Sequence, residues 1–320
     1  MISLLRIAAL TTGALFAGAC LAQSDNYPSK PVRFIVAFPP GNATDILARL
    51  LADKVSQGMK QSVIVENKPG AGGIIGTDFV AKAPADGYTV LIGQSGALAV
   101  NPYLYKLPYD PQKDFAPVSL IITGHTVLVV PQNSPYKTVR ELITAARQQP
   151  GKLSYASYGA GHNSHLMGEM FKWAAGVNLL HVPYKSAPLT DVVAGRVDMM
   201  FESTGVAVPH IKSSRLRPLA VMGAKRSSGL PDVPSVAEEL PGFDAIGWIG
   251  AVVPSGTPAP IIERLNKEFN AALAAPDVRQ RIQGMLLEPA GNRPEEFGAF
   301  IRAQSDRWAK VIRETGIKVE

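Results

Sequence analysis

The sequence has almost no cysteine and, beyond its first 22 residues, no long apolar run. Cys20 is the one cysteine among 320 residues, so the rest of the chain can form neither a disulfide nor a thiolate metal site, and thiol catalysis is excluded there. No later apolar run approaches the roughly 20 residues that span a bilayer. The formal charge is +6, but the basic residues are scattered and are not interleaved with aromatic ones. Nucleic acid is therefore not an expected partner.

The first 22 residues predict a secretory signal peptide. Arg6 precedes an apolar run that ends near Ala19, and small residues precede Gln23. Such a segment is too short for a stable membrane anchor. Cleavage after Ala22 would give an exported chain without cysteine, and we expect a periplasmic location. The alternative is a lipoprotein acylated at Cys20, although the preceding "AGA" lacks the leucine that such signals usually carry.

Strand and helix patterns alternate along most of the chain. The strand "VRFIVAF" is followed by the helical pattern "ILARLLADKV", and "TVLVVP" followed by "TVRELITAARQQP" repeats this order. Alternation of this kind predicts an α/β fold with mainly parallel sheets flanked by helices, and the length favours two domains. The apolar strand Phe243–Pro254 is expected to return to the first domain. The predicted division is a signal peptide at 1–22, domain 1 at 23–125 with 243–320, and domain 2 at 126–242.

Polar, glycine-rich loops follow several of the predicted strands. In "FPPGNATD" a strand gives way to a helix, whose first N–H groups and dipole favour an anion. The alternative is an ordinary capped turn, with Asn42 or Thr44 as the N-cap. The segments "GAGGIIG", "GQSGALA", "SYGAGHNSH" and "VPYKSAP" also follow strands, where ligands of open α/β sheets bind. Their recurrence favours an anion-binding cleft.

The enzyme motifs in these loops are incomplete. The run Gly70–Gly76 has Ile75 where a dinucleotide fingerprint needs glycine. No lysine follows its glycines, so it cannot be a P-loop either. Ala97 stands where the nucleophile elbow needs glycine. His165 and Glu169 lie one turn apart, as two metal ligands on a helix would, but a metal site would need a clear third ligand. The alternative is that Glu169 makes an i,i+4 contact that orients His165. We therefore expect no cofactor, no metal and no catalytic residue; an exported enzyme acting on a carboxylate or ester is the alternative.

Several longer blocks resemble a known family across the whole mature chain. They include "FIVAFPPGNATDILAR", "VIVENKPGAGGIIGTDFVAKAPADGYTVLIG", "HVPYKSAP", "LPDVPSVAEELPGF" and "PSGTPAPIIERLN". They are similar to the Bug-type (TctC-like) extracytoplasmic solute receptors of tripartite tricarboxylate transporters. The resemblance implies a type II periplasmic-binding-protein fold whose two domains are joined by two crossing segments. It also implies a small organic acid ligand (a di- or tricarboxylate, an amino acid or an aromatic carboxylate), permease subunits as membrane partners, and no catalysis.

Carried over residue by residue, the resemblance implies a ligand site built from loops of both domains. The first domain would contribute Phe38, Pro40, Gly41, Asn42, Ala43, Asp45, Gly72, Gly73, Gln94 and Ser95. The second would contribute Ser157, Gly159, Gly161, Asn163, His165, Pro183, Tyr184 and Lys185. The chain departs from the family pattern at Asn42, Ala43 and Ser186, where glycine is usual. These departures add side chains at the cleft, so the ligand's identity does not follow from the resemblance.

Overall fold

The computed structural model describes residues 27–315. The predicted signal peptide and Cys20 lie outside the described residues. Within that range no helix combines the length and the apolar character that crossing a bilayer requires.

Ten strands and nine α-helices are defined within this range. The strands are β1 (Val32–Val36), β2 (Val63–Asn67), β3 (Thr89–Gln94), β4 (Phe115–Pro131), β5 (Ser154–Ser157), β6 (Leu180–Pro183), β7 (Met199–Ser203), β8 (Leu216–Val221), β9 (Ile246–Pro254) and β10 (Leu287–Pro289). The helices are α1 (Ala43–Met59), α2 (Ile74–Ala81), α3 (Val139–Gln148), α4 (Asn163–Ala175), α5 (Pro188–Val193), α6 (Thr204–Lys212), α7 (Ala259–Ala274), α8 (Pro276–Gly284) and α9 (Pro294–Thr315).

The strands form two sheets that share β4, in the order β2-β1-β3-β9-β4-β7-β5-β6. The first sheet contains β1, β2, β3, β9, β10 and the first part of β4; the second contains the end of β4 with β5 to β8. We call each sheet with its covering helices a lobe. The two-domain α/β fold predicted from the sequence is confirmed.

The sheets are mixed. The runs β2-β1-β3 and β6-β5-β7 are parallel, as the alternating pattern predicted. In contrast, β4 and β9 pair antiparallel with their neighbours, and so do β8 and β10 with β4. The expectation of mainly parallel sheets therefore holds for the βαβ units alone. It fails for β4 and β9 because each runs against the strands of the sheet it joins.

Each lobe has its own apolar core, and α9 contacts both. Phe34 of β1 stacks on Phe269 of α7 with ring centroids 5.1 Å apart in the first lobe. In α9, Phe297 is buried in that same core, whereas Trp308 is buried in the core of the second lobe. The final helix therefore packs on both lobes, whereas the predicted division had placed it in the first domain alone. Arg307 of α9 also pairs with Asp244 at 2.8 Å.

Candidate functional site

The two lobes touch across a cleft between their glycine-rich loops. A Cβ added to Gly72 of the first lobe would overlap the carbonyl oxygen of Ala160 in the second. The rings of Phe38 and His162 meet edge to face, with centroids 4.7 Å apart. These contacts leave two separate spaces in the cleft. We call them the inner cavity and the outer pocket.

The inner cavity has a volume of about 50 Å³ and lies where β4 passes from one sheet to the other, beside the first residues of β9. It has room for roughly four water-sized groups, at 10–15 Å³ for each. The lining residues that the sequence predicted are Asn42, Ala43, Gln94, Ser95 and Asn163. The lining residues that it missed include Thr126, His162, Ser164, Glu202, Ser203 and Gly247. None of the described residues that line it is a lysine or an arginine.

The N-termini of two long helices meet at the inner cavity. Helix α1 begins after Asn42 in the first lobe, and α4 begins after His162 in the second. The first N–H groups of a helix have no intrahelical partner and carry partial positive charge. Among the described residues, no hydrogen bond uses the N–H of Ala43, Thr44 or Asn163. The cavity therefore receives a positive potential from both lobes.

Asn42 caps α1 and has a donor left over. Its Oδ1 accepts from the N–H of Asp45 at 2.9 Å, which confirms Asn42 as the N-cap and fixes the orientation of its amide. Its Nδ2 then points away from the helix end and has no partner among residues 27–315, although Asn42 is only 1% exposed. Leaving a buried donor unpaired costs about 1–3 kcal/mol. This N–H group is therefore available to a molecule in the cavity.

His162 is a neutral ring that donates from Nε2. Its Nδ1 accepts from the N–H of Ser164 at 3.0 Å and lies 2.8 Å from the hydroxyl of the same residue. Burial lowers the pKa of His162 to about 3, so the ring carries a single proton at neutral pH. Because Nδ1 is an acceptor, that proton lies on Nε2.

Gln94 presents a second amide to the cavity. As the amide is oriented in the structure, its Nε2 lies 2.5 Å from Thr44 Oγ1 and 3.4 Å from His162 Nε2, while Oε1 has no partner among the described residues. The heavy-atom positions of an amide do not distinguish oxygen from nitrogen, so its neighbours decide the assignment. His162 Nε2 is a donor, and the atom facing it must be the oxygen. The NH2 group of Gln94 is then the unpartnered end.

Glu202, near the end of β7, is the acidic residue of the lining, and the sequence did not identify it as a site residue. It is 2% exposed, and its two carboxyl oxygens accept from the N–H of Ser203 at 2.7 Å and from the hydroxyl of Tyr158 at 3.0 Å. Burial raises the pKa of Glu202 to about 7, although both hydrogen bonds act to lower it. The carboxyl group is therefore close to half-protonated at neutral pH.

The outer pocket is larger, about 510 Å³, and opens between the glycine-rich loops. Its predicted lining residues are Gly72, Gly73, Gly159, Pro183, Tyr184 and Lys185, and Pro39, Tyr158 and Ala160 join them. Among the described residues that line it, Lys185 alone is charged. Pockets of this size hold small organic ligands.

Seven predicted site residues line neither space: Phe38, Pro40, Gly41, Asp45, Ser157, Gly161 and His165. Burial acts to raise the pKa of Asp45, but hydrogen bonds from Arg49, the Gly41 N–H and Asn67 outweigh it and hold the pKa below its usual value. Asp45 therefore fastens the first loop rather than facing the cleft. The ring of Phe38 contacts His162 and lies against Gly73, so Phe38 borders the cleft without lining either space.

The histidines behind the second-lobe loop form a cluster of their own. His165 Nδ1 accepts from the N–H of Gly161 at 3.1 Å, and its ring lies 4.2 Å from that of His181. The proposed hold of Glu169 on His165 is wrong, because Glu169 instead accepts from Tyr155 and Lys172 at 2.6 and 2.9 Å. Among the described residues no group of three or more His, Cys, Asp or Glu could hold a metal ion.

Acid should destabilise the protein through these histidines. Burial lowers the pKa of His162 and His165 to about 3 and that of His181 to about 4. An unfolded chain protonates histidine near pH 6.5, so this stability is present above that pH and is lost as the pH falls towards 3. Each histidine contributes about 1.4 kcal/mol per pH unit to the slope. Urea unfolding between about pH 7.5 and 5 measures it.

The matched variant is His162→Asn, because asparagine also caps a helix and does not titrate. Below about pH 6 its slope should be shallower than that of the original chain by about 1.4 kcal/mol per pH unit. Glu202 acts in the opposite direction, since its raised pKa favours the fold at low pH, but it does so equally in both proteins. Equal slopes in the two proteins would contradict a buried neutral His162.

Comparison with known proteins finds relatives along nearly the whole chain. The profile of a family described as "Tripartite tricarboxylate transporter family receptor" matches residues 47–317. A protein of Pseudomonas sp. strain P51, described as the UPF0065 protein in the tcbD-tcbE intergenic region, is 44% identical over 295 residues, which are 91% of this chain and 88% of the relative. Protein BugT of Bordetella pertussis is 37% identical over 307 residues, 94% of each chain.

Solved structures with the same fold include ligand complexes. Periplasmic binding protein BugD has a TM-score of 0.87 at 35% identity, with 92% of this chain and 100% of that chain covered. An R. palustris protein with adipate has a TM-score of 0.86 at 36% identity, covering 91% and 99%. MatC from Rhodopseudomonas palustris with bound malate has a TM-score of 0.84 at 30% identity, covering 89% and 100%.

Proposed function

This chain belongs to the tripartite tricarboxylate transporter receptor family, as its motifs indicated, and we propose that it is a solute receptor that holds a small organic acid by a carboxylate group in the inner cavity. One observation carries the proposal. The N-termini of α1 and α4 meet there, and the buried Nδ2 of Asn42 has no partner among the described residues. Gln94, with its oxygen turned toward the N–H of His162 Nε2, offers a second NH2 group.

Unpartnered N–H donors are the groups that bind a carboxylate. Hydrogen bonds from N–H groups to an ionised oxygen are roughly twice as strong as neutral ones, and helix N-termini favour negative charge. The lining holds no lysine or arginine, so an anion would be bound by dipoles and amides alone. The relatives solved with adipate and malate, both organic acids, support this ligand class.

The inner cavity is too small for a whole dicarboxylate chain of adipate length. We propose that the carboxylate enters the inner cavity and that the rest of a longer ligand extends toward the outer pocket, where Lys185 is the charged residue. Phe38 and Tyr158 would lie beside the connection. Closure of the lobes would then bury the ligand, because groups of both lobes contact it.

The remaining roles follow from family membership and from the sequence. We propose that the chain is exported by its N-terminal segment, acts in the periplasm as BugD does, and delivers its ligand to integral-membrane permease subunits. The hinge would lie at the predicted domain boundaries near residues 125 and 243, where β4 passes from one sheet to the other and β9 begins. The protein would bind its ligand without altering it.

A thermal-shift screen tests the proposal. Mono-, di- and tricarboxylates, amino acids and aromatic acids are added to the pure protein, with the matching amides as controls. At a hundred times its Kd, a true ligand should stabilise the fold by about 2.7 kcal/mol, and its amide should not. Stabilisation by no acid would refute the carboxylate site. Recovery of a chemically changed ligand would instead favour the exported-enzyme alternative.

A further inference from the structure

Glu202 places a second carboxyl group in the wall of the cavity proposed to receive the ligand's carboxylate. The side chain is 2% exposed, and its oxygens accept from Ser203 N–H and Tyr158 O–H, so neither is paired with a cation. Two neutral donors do not replace the water that a buried carboxylate loses. The ionised form of Glu202 is therefore disfavoured by burial and is not stabilised by any paired cation.

Apart from Glu202, the described residues that line the inner cavity are neutral. Across the sheet from Glu202 lies Val127 of β4, and Thr126 next to it is uncharged. Burial raises the pKa of Tyr158 well above its usual value, so its hydroxyl stays protonated. His162 of the same lining is neutral at physiological pH because burial lowers its pKa to about 3. Among the described residues, no charged side chain shifts the pKa of Glu202.

We propose that Glu202 takes up a proton when the ligand carboxylate enters the inner cavity, so that the receptor binds an organic acid together with one proton. This inference rests on the proposed function. Two carboxylates in one desolvated space cannot both remain ionised, and they share a proton. The proton comes from solvent, and the neutral Glu202 O–H becomes a further donor for the ligand oxygen. Glu202 thereby sets a requirement on the ligand, which must bring an anionic acceptor and no competing cation.

The expected signature is a fall in affinity as the pH rises. Only the receptor with Glu202 protonated is competent, and with a pKa of about 7 in the free protein the competent fraction falls steeply above neutrality. Apparent affinity should therefore be roughly 30-fold weaker at about pH 8.5 than at about pH 6. Ordinary carboxylic acids titrate near pH 4, so the ligand stays ionised across this range.

The experiment is calorimetric titration with adipate, malate and aspartate in phosphate and in Tris, whose ionisation heats differ. The difference in heat between the two buffers counts the protons taken up. With adipate and malate we expect uptake that approaches one proton per ligand as the pH rises above 7, and aspartate adds a probe that carries an ammonium group. Glu202→Gln should abolish both the uptake and the pH dependence. Glu268→Gln, which alters a buried glutamate of α7 in the first lobe, should change neither.

A second variant keeps the test independent of how Glu202→Gln folds. Tyr158→Phe removes a hydrogen bond that favours the ionised carboxylate, so the fall in affinity should move to higher pH. Binding without proton uptake would overturn the inference and leave the receptor function intact. Affinity for aspartate that rises with pH, with proton release, would also overturn it, because an ionised Glu202 would then pair with the ligand's ammonium group. No binding of any probe would count against the proposed function itself.

Discussion

Asn42→Asp is expected to weaken ligand binding at least 100-fold while keeping the cap of α1. Aspartate caps a helix as well as asparagine does, so the bond from Asp45 N–H to the capping oxygen should survive. The same change replaces the unpartnered Nδ2 with a carboxylate oxygen that faces the ligand's carboxylate. Loss of the donor and the new repulsion together should weaken binding at least 100-fold, about 2.7 kcal/mol or more. Calorimetry measures the affinity, and urea unfolding measures the stability.

Asn42→Gly is the companion variant, because glycine is the residue that the resemblance leads one to expect there. It removes the donor without adding charge, so affinity should fall by about 1.5–3 kcal/mol, the value of a hydrogen bond to a charged group. Stability should change by only a few tenths of a kcal/mol. Normal affinity in Asn42→Asp would exclude the Asn42 amide from the ligand site.

Gly72→Ala is expected to hold the lobes apart. The added Cβ would overlap the carbonyl oxygen of Ala160 across the cleft, so the contacts that both lobes make with the ligand cannot form together. Only differential contacts favour a closed state, and losing them should weaken binding at least tenfold, about 1.4 kcal/mol. Solution scattering of the protein saturated with ligand should show a larger radius of gyration than the original chain shows.

Gly176→Ala separates this clash from backbone strain. Gly176 and Gly72 have φ of 60° and 61°, so alanine is equally strained at both, but a Cβ on Gly176 meets nothing within 4 Å. The two variants should lose similar stability, about 1–2 kcal/mol, and only Gly72→Ala should lose affinity. Equal affinities would mean that the 69–73 loop yields and that closure does not depend on this contact.

The alternation of strands and helices was readable from the sequence because it depends on local periodicity. Strand β4 was not: "TVLVVP" was recognised, but the strand begins at Phe115. Pro117 cannot donate to a ladder and lies at a register shift, so the segment has the composition of a loop. The three-residue β10 was also missed, since its pairing with Gly124 comes from tertiary contact.

The candidate site could be predicted in part, and the errors arise from contacts that the local sequence does not show. Asn42 and Gln94 follow a strand or end one, where ligands of α/β folds bind, and both line the inner cavity. Asp45 and His165 have the chemistry of site residues, but backbone N–H groups of their own loops occupy them. Glu202 stands in the apolar strand "MMFES", and only the approach of the other lobe makes it part of a cavity.

The position of β9 in the first sheet also constrains the order in which the chain can fold. In the first sheet β9 lies between β3 and β4, yet it follows the entire second lobe in the chain. Until residue 254 is in place, β3 and β4 have open edges, and such edges pair readily with other chains. The βαβ units of the second lobe need only local contacts, which form faster than distant ones. The first sheet therefore cannot be completed before the second lobe has been made. Until then the unpaired edges of β3 and β4 are the sites at which aggregation would begin.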